Sequence, residues 1–358
     1  MATPTRLFPI LLLLAAFDAR TDDAAWEDKL DFSGDLRLRY ESIDREGVGD
    51  TDRTRYRVRA ALDVQMTETI NVVLGLATAT NNPISRNVTF GNSFSTEDFG
   101  IDLAYVEWQA ADGLTLLGGK LKNPMFRAGR TQVVYDSDLT PEGLAAEWHN
   151  DHLFAVGGVF IIEERAASDD SVLFHGQFGG DIELGDGNTL TAGAGYFTYS
   201  NTVGELPFFF GVPRGNTVDD EGLYVYDYGN VEMYAEFDTR VSGLATMLFA
   251  YWTTNTEVDD EDVAWAVGVR LGGTRKAGDW TASWEYRDTE TDAVIGAFNE
   301  SDFAAGGTDS RGHVLSGKYL LHDRISIGGT AYLVESGGFL GNQADTRRYQ
   351  LDLEFKFD

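Results

Sequence analysis

Residues 31–66 read DFSGDLRLRYESIDREGVGDTDRTRYRVRAALDVQM, two alternating runs on either side of a polar, glycine-containing turn. In a strand, successive side chains point to opposite faces. Leu36, Leu38 and Tyr40 then share one face, and Arg37, Arg39 and Glu41 the other. Across the turn, Tyr56, Val58, Ala60 and Leu62 fall with the leucines, while Arg53, Arg55, Arg57, Arg59 and Asp63 fall with the arginines. One side of the ribbon is apolar and the other carries six guanidiniums. Arginine is almost never buried in a dry core unless paired. The charged side therefore meets water, and the apolar side meets either a second sheet or lipid.

The rest of the chain repeats this pattern. Runs of about ten residues that alternate are the length of a tilted spanning strand. They are expected at 32–44, 52–65, 69–80, 100–110, 113–122, 142–150, 152–163, 172–184, 188–200, 229–241, 243–253, 261–273, 278–288, 312–322, 324–335 and 346–357. That is about sixteen strands, an even number, and no helical period competes with them. Short connections alternate with long ones, and the long ones are 45–51, 81–99, 123–141, 164–171, 201–228, 254–260, 289–311 and 336–345. Tight turns at one rim and long loops at the other describe an all-β, transmembrane antiparallel β-barrel with short periplasmic turns and long extracellular loops. A stacked sandwich, secreted and soluble, has no reason to alternate so regularly.

Facing agrees with lipid outside. In the last run Tyr349, Leu351, Leu353, Phe355 and Phe357 oppose Arg348, Gln350, Asp352, Glu354 and Lys356. In 278–288, Trp280, Ala282, Trp284 and Tyr286 oppose Thr281, Ser283, Glu285 and Arg287. The poorest match is 100–110, whose two faces are both mixed.

Composition narrows the function. The 358 residues hold 28 Lys and Arg against 58 Asp and Glu, a net charge of −30, so nucleic acid is excluded as a partner. There is no cysteine, which removes disulfides and thiolate metal sites. Mean hydropathy is −0.23, as alternation requires, and no later run is long and apolar enough for a spanning helix. Residues 1–25, with Arg6 ahead of the apolar stretch 7–16, read as a secretory signal peptide that ends near Ala19 or Ala25. Residues 26–358 then form a single barrel. The acidic excess sits largely in long loops, as in EVDDEDV. Such clusters suit Ca²⁺ or a divalent bridge to lipopolysaccharide, but without a calcium-loop spacing the plainer reading is a solvated, self-repelling loop.

Several stretches resemble the bacterial putative porin family: GDLRLRYES at 34–42, RTRYRVRAAL at 53–62, FGIDLAYVEWQA at 99–110, LLGGKLKNPMFRAG at 116–129, VVYDSDLTPEGLA at 133–145 and QLDLEFKF at 350–357. The resemblance spans most of the chain and is clearest from 34 to 145. One departure is Asp358 after Phe357, where many such barrels end in an aromatic residue. The resemblance implies a passive-diffusion pore of the outer membrane, in contact with its lipid and lipopolysaccharide. By analogy, general porins of this size are often homotrimers.

About sixteen strands leave an aqueous channel, whose selectivity is set by its width and by charge at its narrowest point. Arg37, Arg39, Arg55, Arg57 and Arg59, with Lys120 and Lys122, are expected to form one charged wall. The third long loop, 123–141, is the candidate constriction, since the resemblance implies an inward fold there. It carries Arg127, Arg130, Asp136 and Asp138, with Glu142 at its exit. Acids facing an arginine ladder give a transverse field, since unit charges about 4 Å apart interact by roughly 4 kcal/mol at an effective dielectric of 20. The plainer alternative for the arginines is pairing with Glu41, Asp63 and Glu354, and for Asp136 and Asp138 it is turn chemistry. No catalytic triad, cofactor or metal site is expected. His149, His175, His313 and His322 come with no nucleophile motif. The expected function is passive diffusion of small hydrophilic solutes or ions. The alternative is a non-conducting barrel that acts as an adhesin or structural anchor through its loops.

Overall fold

The computed structural model describes residues 29–78 and 81–358, so the expected signal peptide at 1–25 lies outside the described residues. The chain is a closed antiparallel barrel. In order its strands are β1 (Leu30–Arg45), β2 (Thr51–Gln65), β3 (Ile70–Thr78), β4 (Val88–Thr89), β5 (Phe99–Ala111), β6 (Leu114–Lys120), β7 (Glu142–His149), β8 (Leu153–Glu163) and β9 (Ser171–Gly185). They continue with β10 (Asn188–Tyr199), β11 (Gly229–Val241), β12 (Leu244–Asn255), β13 (Val263–Gly273), β14 (Trp280–Thr289), β15 (Ser310–His322), β16 (Ile325–Ser336) and β17 (Ala344–Phe357). Each long strand pairs with its sequence neighbours, and β1 pairs with both β2 and β17, which closes the ring. The wall thus has sixteen staves. The seventeenth strand, β4, is a two-residue piece that pairs with β2 beyond the reach of β3.

Register fixes the faces. Leu36 stands opposite Val58, Leu38 opposite Tyr56, Arg37 opposite Arg57 and Arg39 opposite Arg55. Slipping this pairing by one residue would send every arginine into the outer face. Arg39 and Arg57 are buried inside, whereas Tyr40, Leu74, Leu76, Tyr349 and Leu351 are exposed outside. An apolar outer belt on a closed sheet requires hydrocarbon around it. Trp108, Trp148 and Trp280 lie outward near the tight-turn rim, and Tyr40, Phe174 and Trp252 outward nearer the other rim. Such aromatic belts sit at the two membrane interfaces.

The mixed faces of β5 have a specific cause. Leu103 pairs with Gly75 and Ile101 with Leu76, so Asp102 is an extra residue on β5, a β-bulge. Beyond the bulge, Leu103 and Tyr105 turn inward and are buried, whereas before it Phe99 and Ile101 turn outward and are exposed. Odd-numbered residues change sides within one strand, so no single alternation fits it.

The bore is not uniformly polar. Over β8–β12 the inward residues include Phe160, Leu173, Phe197, Tyr199, Tyr234, Phe249 and Tyr251, all buried. They are covered by loops that fold into the barrel, chiefly 121–141, 200–228 and 290–309. Phe298 of the last loop stacks on Tyr199 and Phe208, with ring centroids 6.1 and 5.8 Å apart. Every residue from Thr291 to Glu300 is buried. The expected wet, ionised lining therefore holds on β1, β2 and β17 but not on β8–β12, where aromatic side chains are roofed by chain.

Candidate functional site: a charged passage beside the arginine wall

Loop 121–141 leaves the top of β6 and crosses the bore. Its tip is a 3-10 turn, Ala128–Arg130, which packs against β11, β12 and β13. The tip is pinned at several points. The Gly129 N–H donates to Glu236, and the Arg270 guanidinium donates to the Gly129 carbonyl at 2.6 Å. The Thr131 hydroxyl donates to Glu285 at 2.6 Å. Gly129 has φ +59, and a Cβ there would lie 2.2 Å from the Phe249 ring. Only glycine lets the backbone lie against that ring.

Nearer the loop's start, the Phe126 N–H donates to Gln177 at 2.7 Å, and Gln177 returns a bond to the Phe126 carbonyl at 3.0 Å. Gln177 also donates to Glu232, and the Tyr251 hydroxyl donates to the other oxygen of Glu232 at 2.7 Å. His175 Nε2 lies 2.7 Å from Glu232, and its Nδ1 lies 3.1 Å from the Tyr135 hydroxyl. His175 is buried and tied into this lattice, with Phe197 packed on its ring.

On the loop's return, Asp136 joins two loops. Its own N–H donates to the Phe298 carbonyl at 2.7 Å, and its carboxylate accepts the N–H groups of Asp138 and Ser301, each at 2.8 Å. The first of these carboxylate bonds is the turn chemistry expected of this Asp pair. Burial, and then the neighbouring Asp138, push the Asp136 carboxyl well above the usual carboxylate range.

The arginines form the wall opposite. Arg57 lies 2.8 Å from Asp35, 3.5 Å from Asp138 and 3.6 Å from Glu354. Arg59 lies 2.7 Å from Asp35 and 3.7 Å from Asp138. Arg39 holds Asp352 with two hydrogen bonds of 2.7 Å and Asp302 with one of 2.8 Å. Arg53 and Arg55 share Glu41, Arg55 at 3.3 Å. Arg37 differs. Among the described residues it has no carboxylate within 4.0 Å, and its guanidinium donates to Asn87 Oδ1 at 2.7 Å. Asn87 also accepts a bond from Arg55, through its carbonyl at 3.0 Å.

Between wall and loop lies a cavity of about 450 Å³. Asp35, Asp102, Asp136 and Asp138 line it on one sign, and Arg59, Lys122 and Arg127 on the other. Arg127 also donates to the Tyr135 carbonyl at 3.2 Å. Mixed charge in a confined polar passage can orient a dipolar solute and can compensate for part of an ion's lost hydration.

Three residues singled out from the sequence lie elsewhere. Lys120 and Glu142 were expected at the charged wall and at the exit of the constriction. They pair with each other at 2.8 Å, but Lys120 stands opposite Ala104, which shares a face with the outward Val106 and Trp108. Glu142 shares its face with the outward Leu144. Both therefore sit on the outer parity at the top of short strands. Gly118 and Gly119 hide this in the sequence, because neither marks a face. Arg130 is exposed at the loop tip, with φ +62, on the far side from the arginine wall.

Other charged residues around the arginine wall and the cavity carry no obvious mark in the sequence. Asp302 bridges Arg39 and Arg348 from loop 290–309, and these two arginines hold its carboxyl below the usual range against the effect of burial. Asp35 ties Arg57 to Arg59, and Asp102, the bulge residue, holds Arg86 at 2.7 Å. The run AVIGAF at 293–298 was the available signal for the inward loop, since such a stretch is costly in an exposed connection.

Comparison with known proteins places the fold and the family. The porin-like barrel is shared with the high-pH structure of OprB from Pseudomonas putida, at 11% identity and TM-score 0.64, covering 92% of this chain and 95% of that one. A Rhodopseudomonas blastica porin triple mutant matches at 10% identity and TM-score 0.55, covering 92% and 100%. A loop L8 deletion mutant of OmpT, an outer membrane protein of Vibrio cholerae, matches at 13% identity and TM-score 0.52, covering 92% and 99%. No curated protein sequence matches the chain. The model of a family described as "putative porin" matches residues 44–209 and 220–357, and the chain belongs to that family. Fold and family together define a porin-type channel and point to the bacterial outer membrane.

Proposed function

We propose that this protein conducts small hydrophilic solutes passively, along the charged passage between the arginine wall and the inward loops. The observation that carries this reading is the lining of that passage. Asp138 of loop 121–141 lies 3.5 Å from Arg57 and 3.7 Å from Arg59, and the adjoining cavity of about 450 Å³ is lined by Asp136, Asp138 and Arg59. In this reading Arg37, Arg39, Arg55, Arg57 and Arg59 supply the positive wall, with Lys122 and Arg127 beside it. Asp138 supplies the negative face, joined by Asp136 where the pH ionises its raised carboxyl, and loop 121–141 is the constriction. A transverse field of this kind favours polar and dipolar solutes over apolar ones.

The test is single-channel recording in planar bilayers. Steady open currents of porin size are expected, and the double variant Arg55→Ala/Arg57→Ala should move the reversal potential towards cation preference. An unchanged potential would remove the arginine wall from the selectivity mechanism. A second reading, a barrel that serves as adhesin or anchor, draws on the extent of chain packed over β8–β12. It predicts bilayers that stay silent.

A further inference from the structure

The wall is not of even height. β6 has 7 residues and β7 has 8, against 13 in β5 and 11 in β8. Pairing of β5 with β6 stops at Ala104–Lys120, while β5 continues along β3 to Phe99. Pairing of β7 with β8 stops at Gly143–Phe160, while β8 continues along β9 to Glu163. One further rung, from the Leu121 N–H to the Pro141 carbonyl, precedes the point where the chain turns into the bore. A notch therefore opens between the upper parts of β5 and β8. At about 3.3 Å per residue, three to five missing residues make it roughly 10–17 Å long along the strands.

Behind the notch lies a cavity of about 740 Å³. Its lining joins the two sides of the wall. Leu144 and Ile161 belong to the outer face and are 67% and 58% exposed. Leu139, Phe160, Leu173 and Phe298 belong to the interior. At its lip stands the Lys120–Glu142 ion pair, whose ammonium also donates to the Thr140 carbonyl at 3.2 Å. The volume is that of a small-molecule site, and an apolar lining with a few polar groups at one end is the usual form of one. A hydrophilic solute that follows the arginine wall has no use for it.

We propose that the notch is a lateral port. Its solute is a small amphiphile, with an apolar, ring-bearing body and one ionised end, which exchanges between the membrane hydrocarbon and this cavity. The body lies against Phe160, Leu173 and Phe298, and the ionised end stays at the Lys120–Glu142 lip. This goes beyond diffusion along the arginine wall and does not depend on it.

The chain has no cysteine, so single-cysteine variants of the full protein in liposomes give a clean test. Ile162→Cys, half-buried on the inward face of β8, reports on the cavity. Thr281→Cys, half-buried on the inward face of β14, reports on the bore away from the notch. A pyrene maleimide dissolved in the bilayer should label Ile162→Cys at least ten-fold faster than Thr281→Cys, while a charged, water-soluble maleimide shows no such preference. Adding Ile161→Arg, or separately Leu144→Arg, should suppress the lipid-borne labelling and leave labelling from water unchanged. Equal rates from the bilayer would overturn the proposal, as would labelling indifferent to both arginine variants. Labelling that appears only when the protein is diluted to single copies would overturn it too, because a second copy would then cover the notch. Conductance does not enter this readout, so failure of the port and failure of the pore are separate results.

Discussion

Arg39 and Asp352 stand opposite each other on the first and last strands of the barrel and meet through two parallel hydrogen bonds of 2.7 Å. The pair sits on the seam where the chain's two ends close the wall. The same guanidinium reaches Asp302 of loop 290–309 at 2.8 Å, so one side chain ties seam and loop together. Arg39 is buried, and truncating it leaves the partly buried Asp352 without its partner while Asp302 keeps Arg348, at a cost of about 1–3 kcal/mol. Arg39→Ala should therefore lower the unfolding temperature clearly in a heat-modifiability gel, and should also move the reversal potential towards cations.

Arg37 offers the contrast. It lies on the same strand and the same face but has no carboxylate within 4.0 Å among the described residues. Arg37→Ala should shift the reversal potential in the same direction, because a unit of positive charge is lost from the wall. It should leave the heat-modifiability midpoint close to that of the unchanged protein. The two variants together separate the charge of the wall from its scaffolding.

Gly129 tests how loop 121–141 is seated. At φ +59, and with the Phe249 ring where a Cβ would stand, Gly129→Ala meets both strain and collision. The left-handed backbone alone costs about 1–2 kcal/mol for an alanine. The expected result is a loop tip lifted from β12 and a larger, noisier single-channel conductance. An unaltered conductance would show that the tip does not set the width.

Asn216, in loop 200–228, tests how loop 290–309 is held. Its side-chain amide donates to the Thr291 carbonyl at 2.9 Å and the Val294 carbonyl at 2.8 Å, and its oxygen accepts the Gly296 N–H at 2.8 Å. Asn216→Ala strips the Val294 carbonyl and the Gly296 N–H of this partner, each worth about 1–3 kcal/mol when left unsatisfied, while the Thr291 carbonyl keeps the Thr308 hydroxyl at 2.7 Å. Loop 290–309 should loosen, which protease sensitivity within it would report.

Acid should act on Asp136 before Asp302. Burial raises the Asp136 carboxyl, whereas Arg39 and Arg348 hold Asp302 low. For a carboxyl raised by folding, the native state binds its proton more tightly than the unfolded chain does. Its contribution to stability is thus present below the ordinary carboxylate pKa and is lost as pH rises through the raised value. A fall in pH through that raised value should protonate Asp136, seat the loop more firmly and tilt selectivity towards anions. Asp136→Asn should flatten that part of the pH profile of the reversal potential.

The strands were legible because alternation is local. Each run in the 31–66 hairpin declares its faces without knowledge of any other residue, and the turn lengths then order the two rims. The inward loops were less so. What holds 290–309 in the bore is Asn216, Asn230 and Asn255, residues from other strands and loops whose partners cannot be read from spacing. Lys120 was misplaced because two glycines beside it carry no facing information. The aromatic inner face of β8–β12 was visible as residues, but its meaning depended on which loops would cover it.

The extra residue at Asp102 works as a frameshift written into the wall. Up to that point β5 offers its odd-numbered side chains to hydrocarbon, and after it the same parity is offered to the bore, so one strand spells two messages in sequence. The bulge also turns a carboxylate towards Arg86. Insertions and deletions of single residues are thus a means by which a cylinder of this kind can re-letter its inner surface without gaining or losing a stave.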